Sequence, residues 1–431
     1  DFWGGLFDAD LPAEPNLRAT VITNGGLMYI RPNLWMESDD LVIAQGGFLS
    51  LEGRLDVHGV YRNWSSIIVD HDAILNVTGD RSVLHSHHVS SGGELYFAGD
   101  LDLWHRNNGA FSSLMMFSDT DSGDPSRVSV EGTLSVTDGD GTLTFLLEES
   151  QLDVGSLDLR HAKRSYPDRP GQDLQFRSGT IRVNGGTLQV PADAPWAFEP
   201  YDTAAGDQRQ LDVHLSNGAS FEHLRPVTVG GGRQTQDRFC RGQLLLTGDS
   251  ASPRTRALTG PLTVGDAADE SGWIRMSGAT DLEVRGPCIV GDAGTGGLTF
   301  EVNWGDLGNP RPTGEFWDRV YIGQNGSPRA EMTISYGDVR VRDSVFMGMG
   351  DSASTLAVYS LGEPNPHASH LTIDGDLEAG WDLWSARDHG PSVVTATGGG
   401  RIDVDGVFGL GTTSSLHLGT AALLRCDSAV I

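Results

Sequence analysis

The chain has almost no lysine: Lys163 is the only lysine among its 30 basic residues, and the others are arginine. Acidic residues number 58, which gives a formal net charge of −28 at neutral pH. A surface of that sign repels phosphate backbones and anionic lipid headgroups. The composition therefore argues against nucleic acid as a partner and against binding to a membrane surface.

Cysteine is also scarce, with Cys240, Cys288 and Cys426 as the only three in 431 residues. They form no CxxC pair and show no His/Cys metal spacing, so the sequence gives no support for a structural zinc site. The odd count leaves at least one thiol unpaired within the chain. That thiol is either buried as a free cysteine or pairs with a neighbouring subunit.

Long apolar runs are absent as well. The longest, around residues 113–117, is far shorter than the roughly 20 residues that a membrane span needs. No window shows the 3.6-residue apolar period of a capped helix, so we expect little helix. The sequence begins at Asp1 without an initiator Met, which fits a cleaved signal peptide, although a trimmed chain would look identical. We expect an exported, extracellular or cell-surface protein with no membrane insertion.

What the sequence does contain is an internal repeat of alternating apolar and polar residues around a glycine. Residues 49–57, 95–103 and 128–136 align so that every apolar position and the central glycine coincide, and residues 75–79 give a further copy. The marker glycines are Gly53, Gly79, Gly99 and Gly132. They recur roughly every 20 to 33 residues, which predicts one turn of a three-strand coil with loops of variable length.

The second half carries another marker, a short apolar strand that closes on glycine. Gly265, Gly291, Gly323 and Gly348 end four such strands, and their spacing falls in the same range as that of the first marker. A coil needs sharp corners, and glycine tolerates the positive φ or the close backbone approach that a corner imposes. Inward side chains then stack on their equivalents in the next coil, about 4.8 Å away.

These patterns predict an all-β fold, a single-stranded right-handed parallel β-helix with roughly three strands per coil. We expect residues 1–19 to cap the first coil or join subunits, and residues 20–431 to form one continuous solenoid with inserted loops. A β-sandwich is the alternative, but it would show hairpin turns about every 8 to 12 residues. A propeller would show four strands per roughly 40-residue blade. The observed period suits neither.

With these motifs, above all residues 290–300 and 262–266, the chain resembles the glycine-rich β-strand repeat proteins of bacterial surfaces. These are autotransporter-type passenger domains and the large repeat proteins secreted by planctomycetes. The likeness covers most of residues 20–420. It implies export, a right-handed β-helix, and a surface, matrix or adhesive role, but it specifies architecture and no activity. An anchoring segment is not recognisable.

Inserted loops usually carry the function of a repeat scaffold. The aromatic residues at or near them can stack on sugars or dock a neighbouring subunit, or they can fold down onto their own solenoid. The candidate interface residues are Phe2, Trp3 and Phe7 near the N-terminus, and Trp196, Phe198, Tyr201, Phe316 and Trp317 further along the chain.

Motifs for metal binding or catalysis are less distinct than the repeat. Asp119, Asp121 and Asp124 resemble part of a calcium loop, although the bidentate glutamate at the twelfth position is missing, so Ca²⁺ is the one candidate cofactor. His85, His87 and His88 could ligate a transition metal, but adjacent positions on a strand point to opposite faces, so these histidines cannot easily share one site. No nucleophile elbow or phosphate loop occurs. We expect no enzymatic activity and name no catalytic residue.

The sequence thus predicts a secreted structural solenoid that forms a homo-oligomer or polymer, as a subunit of an extracellular filament, matrix or surface layer. Its contacts would be made by solenoid ends and inserted loops, with surface polysaccharide as a further candidate partner. Two alternatives stay open: a carbohydrate-active β-helix enzyme, which needs a groove of carboxylates and aromatics, and a monomeric adhesin.

Overall fold

Strands form where apolar and polar residues alternate, because alternation directs one set of side chains inward and the other outward. Leu75 and Val77 are fully buried, while Asn76 between them is partly exposed. In the described residues the only helical element is a single 3₁₀ turn, Met349–Asp351, so the expectation of little helix is confirmed. No helix within the described residues is long and apolar enough to cross a membrane.

The computed structural model groups the chain into two units, Asp1–Pro191 and Ala192–Ile431. That residues 20–431 form one continuous solenoid stays a prediction. The residues that the structure describes are 6–8, 16–22, 26–43, 48–59, 61–69, 72–89, 92–104, 112–116, 125–137, 143–147, 150–161, 175–176, 178–198, 209–230, 240–266, 270–301, 310–360, 368–382 and 387–431.

Unit 1 contains the first 18 described strands. They are β1 Leu6–Asp8, β2 Asn16–Ile22, β3 Leu27–Ile30, β4 Trp35–Ile43, β5 Phe48–Leu51, β6 Arg54–Val57, β7 Tyr61–Val69, β8 Ile74–Val77, β9 Arg81–Val89, β10 Glu94–Phe97, β11 Asp100–Trp104, β12 Ser112–Met116, β13 Arg127–Thr137, β14 Leu143–Leu147, β15 Ser150–Asp158, β16 Gln175–Phe176, β17 Gly179–Asn184 and β18 Thr187–Gln189.

Unit 2 contains the rest of the described strands. They are β19 Trp196–Phe198, β20 Arg209–Ser216, β21 Ser220–His223, β22 Val227–Val229, β23 Cys240–Gly248, β24 Thr255–Thr259, β25 Leu262–Val264, β26 Glu270–Gly278, β27 Thr280–Val284, β28 Cys288–Val290, β29 Thr295–Glu301, β30 Thr313–Phe316, β31 Val320–Ile322, β32 Ala330–Ile334, β33 Asp338–Val341, β34 Val345–Met347, β35 Ser354–Tyr359, β36 His370–Ile373, β37 Leu377–Ala379, β38 Trp381–Asp382, β39 Arg387–Asp388, β40 Ser392–Thr397, β41 Arg401–Leu410, β42 Ser415–Leu418 and β43 Leu423–Val430.

In unit 1 each full coil contributes one segment to each of three parallel sheets. Sheet A contains β1, β3, β5, the second halves of β7 and β9, then β12, β14 and β16. Sheet B runs from the first parts of β2 and β4 through β6, β8, β10, the first halves of β13 and β15, to β17. Sheet C takes the second parts of β2 and β4, the first halves of β7 and β9, then β11, the second halves of β13 and β15, and β18.

Within unit 2 the described strands likewise form three parallel sheets. Sheet D contains β20, β23, β26, β29, β32, β35, β40 and β42. Sheet E contains β21, β24, β27, β30, β33, β36 and the first halves of β41 and β43. Sheet F contains β19, β22, β25, β28, β31, β34, β37 and the second halves of β41 and β43. Among the strand pairs described within the two units, only β38 with β39 is antiparallel.

The parallel pairing confirms the predicted β-helix with three strands per coil and excludes the sandwich and propeller alternatives. Its core consists of columns in which one inward residue lies over its equivalent in the next coil. Each such side chain contributes about 1.5–3 kcal/mol through burial. One column of sheet B, 0–2% exposed throughout, is Leu55, Leu75, Leu95, Val128, Leu152 and Ile181.

The corner glycines of unit 1 are required by close approach of neighbouring coils. A Cβ on Gly79 would lie 1.9 Å from the carbonyl oxygen of Gly59, and one on Gly99 would lie 2.1 Å from that of Asp80. Gly59 and Gly79 therefore stack at the same corner, between sheets B and C, whereas Gly53 lies between sheets A and B. The prediction that Gly53 and Gly79 mark one coil is wrong, because they lie at two different corners. The coil that ends at Gly79 begins at Gly59.

The corner glycines of unit 2 are required by their backbone conformation as well. Gly265, Gly291, Gly323 and Gly348 all have positive φ, between 71° and 80°, and lie between sheet F and sheet D. The amide of Gly291 donates to the carbonyl oxygen of Val264, which continues the parallel ladder through the corner. The sequence spacing of these four glycines therefore gives the true coil lengths in this unit.

Candidate functional site

Several residues predicted from the sequence lie outside the described part of the chain. They are the calcium-loop residues Asp119, Asp121 and Asp124 and the aromatic residues Phe2, Trp3 and Tyr201. Phe7 lies in β1, where it pairs with Met28 of β3. The described residues contain no group of three or more His, Cys, Asp or Glu that could hold a metal ion.

Three of the predicted interface aromatics face the interior. Trp196 is 5% exposed, Phe198 3% and Phe316 fully buried. Phe198 makes an edge-to-face contact with Phe221, with ring centroids 5.3 Å apart. The prediction that these rings offer free faces is wrong for these three, because each occupies an inward position of its strand and adds apolar area to the core. The pattern Trp196-Ala197-Phe198, with aromatics two positions apart, is the sequence signal of that inward face.

Trp317 differs from its neighbour Phe316 because it directly follows strand β30, at the corner towards sheet F, and is 50% exposed. Its amide donates to the carbonyl oxygen of Val284, so its position in the coil is fixed by the ladder. The guanidinium carbon of Arg342, from the next coil, lies 4.9 Å from the centroid of the indole ring. Nε of Arg342 donates to Glu315 at 2.8 Å. We call Trp317, Arg342 and Glu315 cluster 2.

The same arrangement occurs in unit 1, around Trp35, which is not among the predicted interface residues. Trp35 opens strand β4 and is 44% exposed, and its register partner in the next coil is Arg54. The guanidinium carbon of Arg54 lies 5.6 Å from the indole centroid. Nε of Arg54 donates to both carboxylate oxygens of Asp56, at 3.1 and 3.0 Å. We call Trp35, Arg54, Asp56 and Asn76 cluster 1.

Asp56 is the centre of cluster 1. Besides Arg54, it accepts a hydrogen bond from Nδ2 of Asn76 at 2.9 Å and one from the indole nitrogen of Trp35. Burial opposes ionisation of Asp56, but the hydrogen bonds from Arg54, Asn76 and Trp35 outweigh it and hold the pKa of this carboxyl below its ordinary value. The cluster therefore stays ionised at neutral pH, with the indole ring fixed through its nitrogen.

Cluster 2 is extended by a neighbouring group on sheet F. The outward rings of Tyr321 and Phe346 stack with centroids 5.4 Å apart. Arg319 lies over Phe346 at 5.9 Å, and its Nε is 3.7 Å from Asp343. Ion pairs on an exposed surface contribute at most about 1 kcal/mol to stability. These contacts consequently order the surface more than they stabilise the fold.

A different surface lies at the last described coil of unit 2. Strand β42 pairs with β40 and strand β43 pairs with β41, and no described strand pairs with their outer edges. Leu418, Leu423 and Val430 are 51%, 39% and 44% exposed. Leu424 lies over the buried Ile402 but is itself only partly covered. We call residues 415–430, the last described coil, the terminal coil; its outer strand edges have no partner among the described residues and lie beside exposed apolar side chains.

His370, Asp403 and Thr372 on sheet E do not have the geometry of a nucleophilic triad. Nε2 of His370 lies 2.8 Å from Asp403, which also accepts from Arg401 at 2.6 Å. Burial opposes ionisation of Asp403, but its bonds to Arg401 and His370 keep its pKa below the ordinary value. The hydroxyl of Thr372 approaches the same Nε2, whereas a nucleophilic triad uses both ring nitrogens.

Comparison of the chain with family models, with curated proteins and with solved structures found no match. The surfaces of the molecule itself are therefore the basis for assigning a function.

Proposed function

We propose that this protein is a structural subunit of an extracellular filament, matrix or surface layer that associates with further copies of itself through solenoid ends. The observation that carries the proposal is the stacking of parallel coils, in which each coil pairs with the strand edges of the coil before it and covers its inward side chains. In the last described coil, strands β42 and β43 have outer edges without a described partner, beside the exposed Leu418, Leu423 and Val430.

An open strand edge is a template for another strand, because pairing satisfies its N–H and C=O groups. A coil of a second copy laid on this edge would also cover Leu424 and the last layer of the core. Contact between two different ends is heterologous, so it continues into an open fibre unless the rotation closes a ring. This geometry favours a filament over a closed oligomer.

The net charge of −28 works against such association, since every copy repels the next. Salt screens repulsion between exposed charges over about 8–10 Å at ionic strengths near 0.1 M. Assembly should therefore increase with ionic strength. It should also increase with divalent cations if carboxylates of two copies share them.

The proposal is tested by electron microscopy and sedimentation of the purified chain at low and high salt, with and without a chelator. We expect filaments at high salt for the natural sequence. The double variant Leu418→Lys, Leu423→Lys should remain dispersed, because both charges lie at the edge. Leu224→Lys is the matched control, since Leu224 is equally exposed, at 52%, but lies away from the terminal coil.

Cys426 in β43 gives an independent readout, because it is a partly exposed free thiol in the proposed contact. Its rate of alkylation should fall when filaments form. Single particles under all conditions, or filaments that persist in the double lysine variant, would contradict the proposal.

A further inference from the structure

We propose that clusters 1 and 2 are binding sites for a neutral polysaccharide, with each exposed indole stacking on the C–H face of a sugar ring. This inference does not depend on self-association. It begins from the recurrence of one arrangement in both units: a half-exposed tryptophan, an arginine from the following coil over its ring, and a carboxylate that holds the arginine. Trp35 and Trp317 are the only aromatics among the exposed large apolar side chains in the described residues.

The clusters are preorganised. Arg54 and Arg342 each cover part of one indole, and Asp56 and Glu315 fix those arginines by hydrogen bonds. In cluster 1 the indole nitrogen is also bound to Asp56. Binding to groups that are already ordered avoids the cost of immobilising them, which is the main advantage a shallow site can have. The remaining exposed area of each ring is then available for a flat ligand.

The local charge selects a neutral ligand. The arginines in and beside the clusters are paired with carboxylates: Arg54 with Asp56, Arg285 with Glu283, Arg319 with Asp343 and Arg342 with Glu315. An anionic chain would meet these carboxylates on a protein of net charge −28, and a nucleic acid would be repelled for the same reason. A cationic ligand would compete for ring faces on which arginine already lies.

A neutral sugar chain carries no charge that the carboxylates would repel, and it can use the part of each indole ring that the arginine leaves exposed. Its hydroxyl groups can donate to carboxylate oxygens and accept from guanidinium N–H groups, both of which are planar and can engage two neighbouring hydroxyls. Its C–H faces are apolar and match an indole surface.

The repeat geometry suits an extended chain. In unit 2, Arg285, Trp317 and Arg342 directly follow the equivalent strands β27, β30 and β33. Equivalent positions in paired strands are about 4.8 Å apart. The row therefore offers an arginine, an indole and a second arginine in a line across three coils. A linear glycan laid along this line would contact all three.

The test is affinity electrophoresis of the full chain in gels that contain dextran, mixed-linkage β-glucan, xyloglucan or galactomannan, with pectate and alginate as anionic probes. We expect retardation by at least one neutral polysaccharide and none by the anionic ones. Trp35→Ala and Trp317→Ala should each weaken binding about five- to tenfold, and the double variant should abolish retardation.

Three controls keep the result interpretable. Leu418→Ala removes an equally exposed apolar side chain of unit 2 on sheet D, away from the row of Arg285, Trp317 and Arg342, and should leave retardation unchanged. Arg342→Lys keeps the charge but loses the planar group, so it should weaken binding. Thermal unfolding monitored by circular dichroism shows whether each variant is folded.

Absence of retardation by every neutral polysaccharide, or retardation that survives the double tryptophan variant, would overturn the proposal. Retardation by pectate or alginate alone would overturn the assignment to neutral sugars. Self-assembly is measured separately and should be unaffected in the double tryptophan variant, so failure of this inference is distinguishable from failure of the proposed function.

Discussion

The indole ring of Trp273 occupies the space in which a side chain of Gly297 would lie. The two residues are register partners in β26 and β29 of sheet D, and both face outward. A Cβ on Gly297 would be 2.0 Å from Cε3 of Trp273. Glycine is unfavourable in most strands, but here the aromatic ring covers it and replaces the missing side chain.

Substitution Gly297→Ala should destabilise the protein by about 1–3 kcal/mol, because the ring must move to make room for the methyl group. In the background Trp273→Ala the same change should be neutral or stabilising, since alanine loses less backbone freedom than glycine. Urea unfolding of the four variants measures the coupling between the two positions. Equal effects of Gly297→Ala in both backgrounds would contradict the packing described here.

A second prediction compares two causes of destabilisation when a glycine is replaced: backbone strain at positive φ and steric contact with the neighbouring coil. Gly291 has φ 71°, and an added Cβ would be 2.7 Å from that of Ala330. Gly326 has a similar φ of 81°, but the nearest atom to its added Cβ is 3.9 Å away. Gly326→Ala should cost about 1–2 kcal/mol from strain alone, and Gly291→Ala clearly more. The urea midpoints of the two variants measure the difference, and a larger loss for Gly326→Ala would be inconsistent with this structure.

The alternation of apolar and polar residues is sufficient to predict the coil. It identifies the inward residues, such as Leu75 and Leu95, which lie over one another in neighbouring coils. The third strand was less visible for a physical reason. Between Asn63 and Ser66 strand β7 passes from sheet C to sheet A through a register shift, without a glycine. A marker based on glycine does not detect such a corner.

The candidate surfaces were harder to predict. Trp317 was selected for its loop position, but its partner Arg342 comes a full coil later in the chain, as Arg54 does after Trp35. Coil length varies from one turn to the next, so the residue that lies over a given side chain cannot be identified until the register is known. The prediction for Phe316 is wrong for a related reason. A shift of one position along a strand changes whether a ring faces the core or the solvent, as Phe316 and Trp317 show.

The burial of His223 leads to a prediction about how the stability of the protein depends on pH. It is 3% exposed, and its Nε2 has no hydrogen-bond partner among the described residues. Burial and the charge of Arg225 lower its pKa from the ordinary 6.5, against the smaller effect of a backbone bond to Ala194. The unfolded chain therefore binds this proton more readily than the folded one, and stability should fall as the pH falls through 6.5.

The variant His223→Gln, which does not titrate, should lose less stability between pH 7 and pH 5.5 than the natural sequence does. The matched control is His417→Gln, which makes the same substitution at a histidine that is exposed on β42. Thermal unfolding at both pH values measures the effect. An identical loss of stability in His223→Gln and the natural sequence would refute the role of His223.

The free thiols of Cys288 and Cys426 lie in different environments and provide the final prediction. Cys288 is fully buried in β28 between Leu262 and Val320, and burial raises its pKa to about 12. Alkylation needs the thiolate, so Cys288 should stay unmodified by iodoacetamide at pH 8, whereas the partly exposed Cys426 should react. Mass spectrometry of tryptic peptides distinguishes the two sites, and labelling in urea should modify both. If Cys288 reacted in the folded protein as fast as Cys426, the inward column of sheet F could not be packed as described, because no reagent reaches a thiol enclosed by coils above and below.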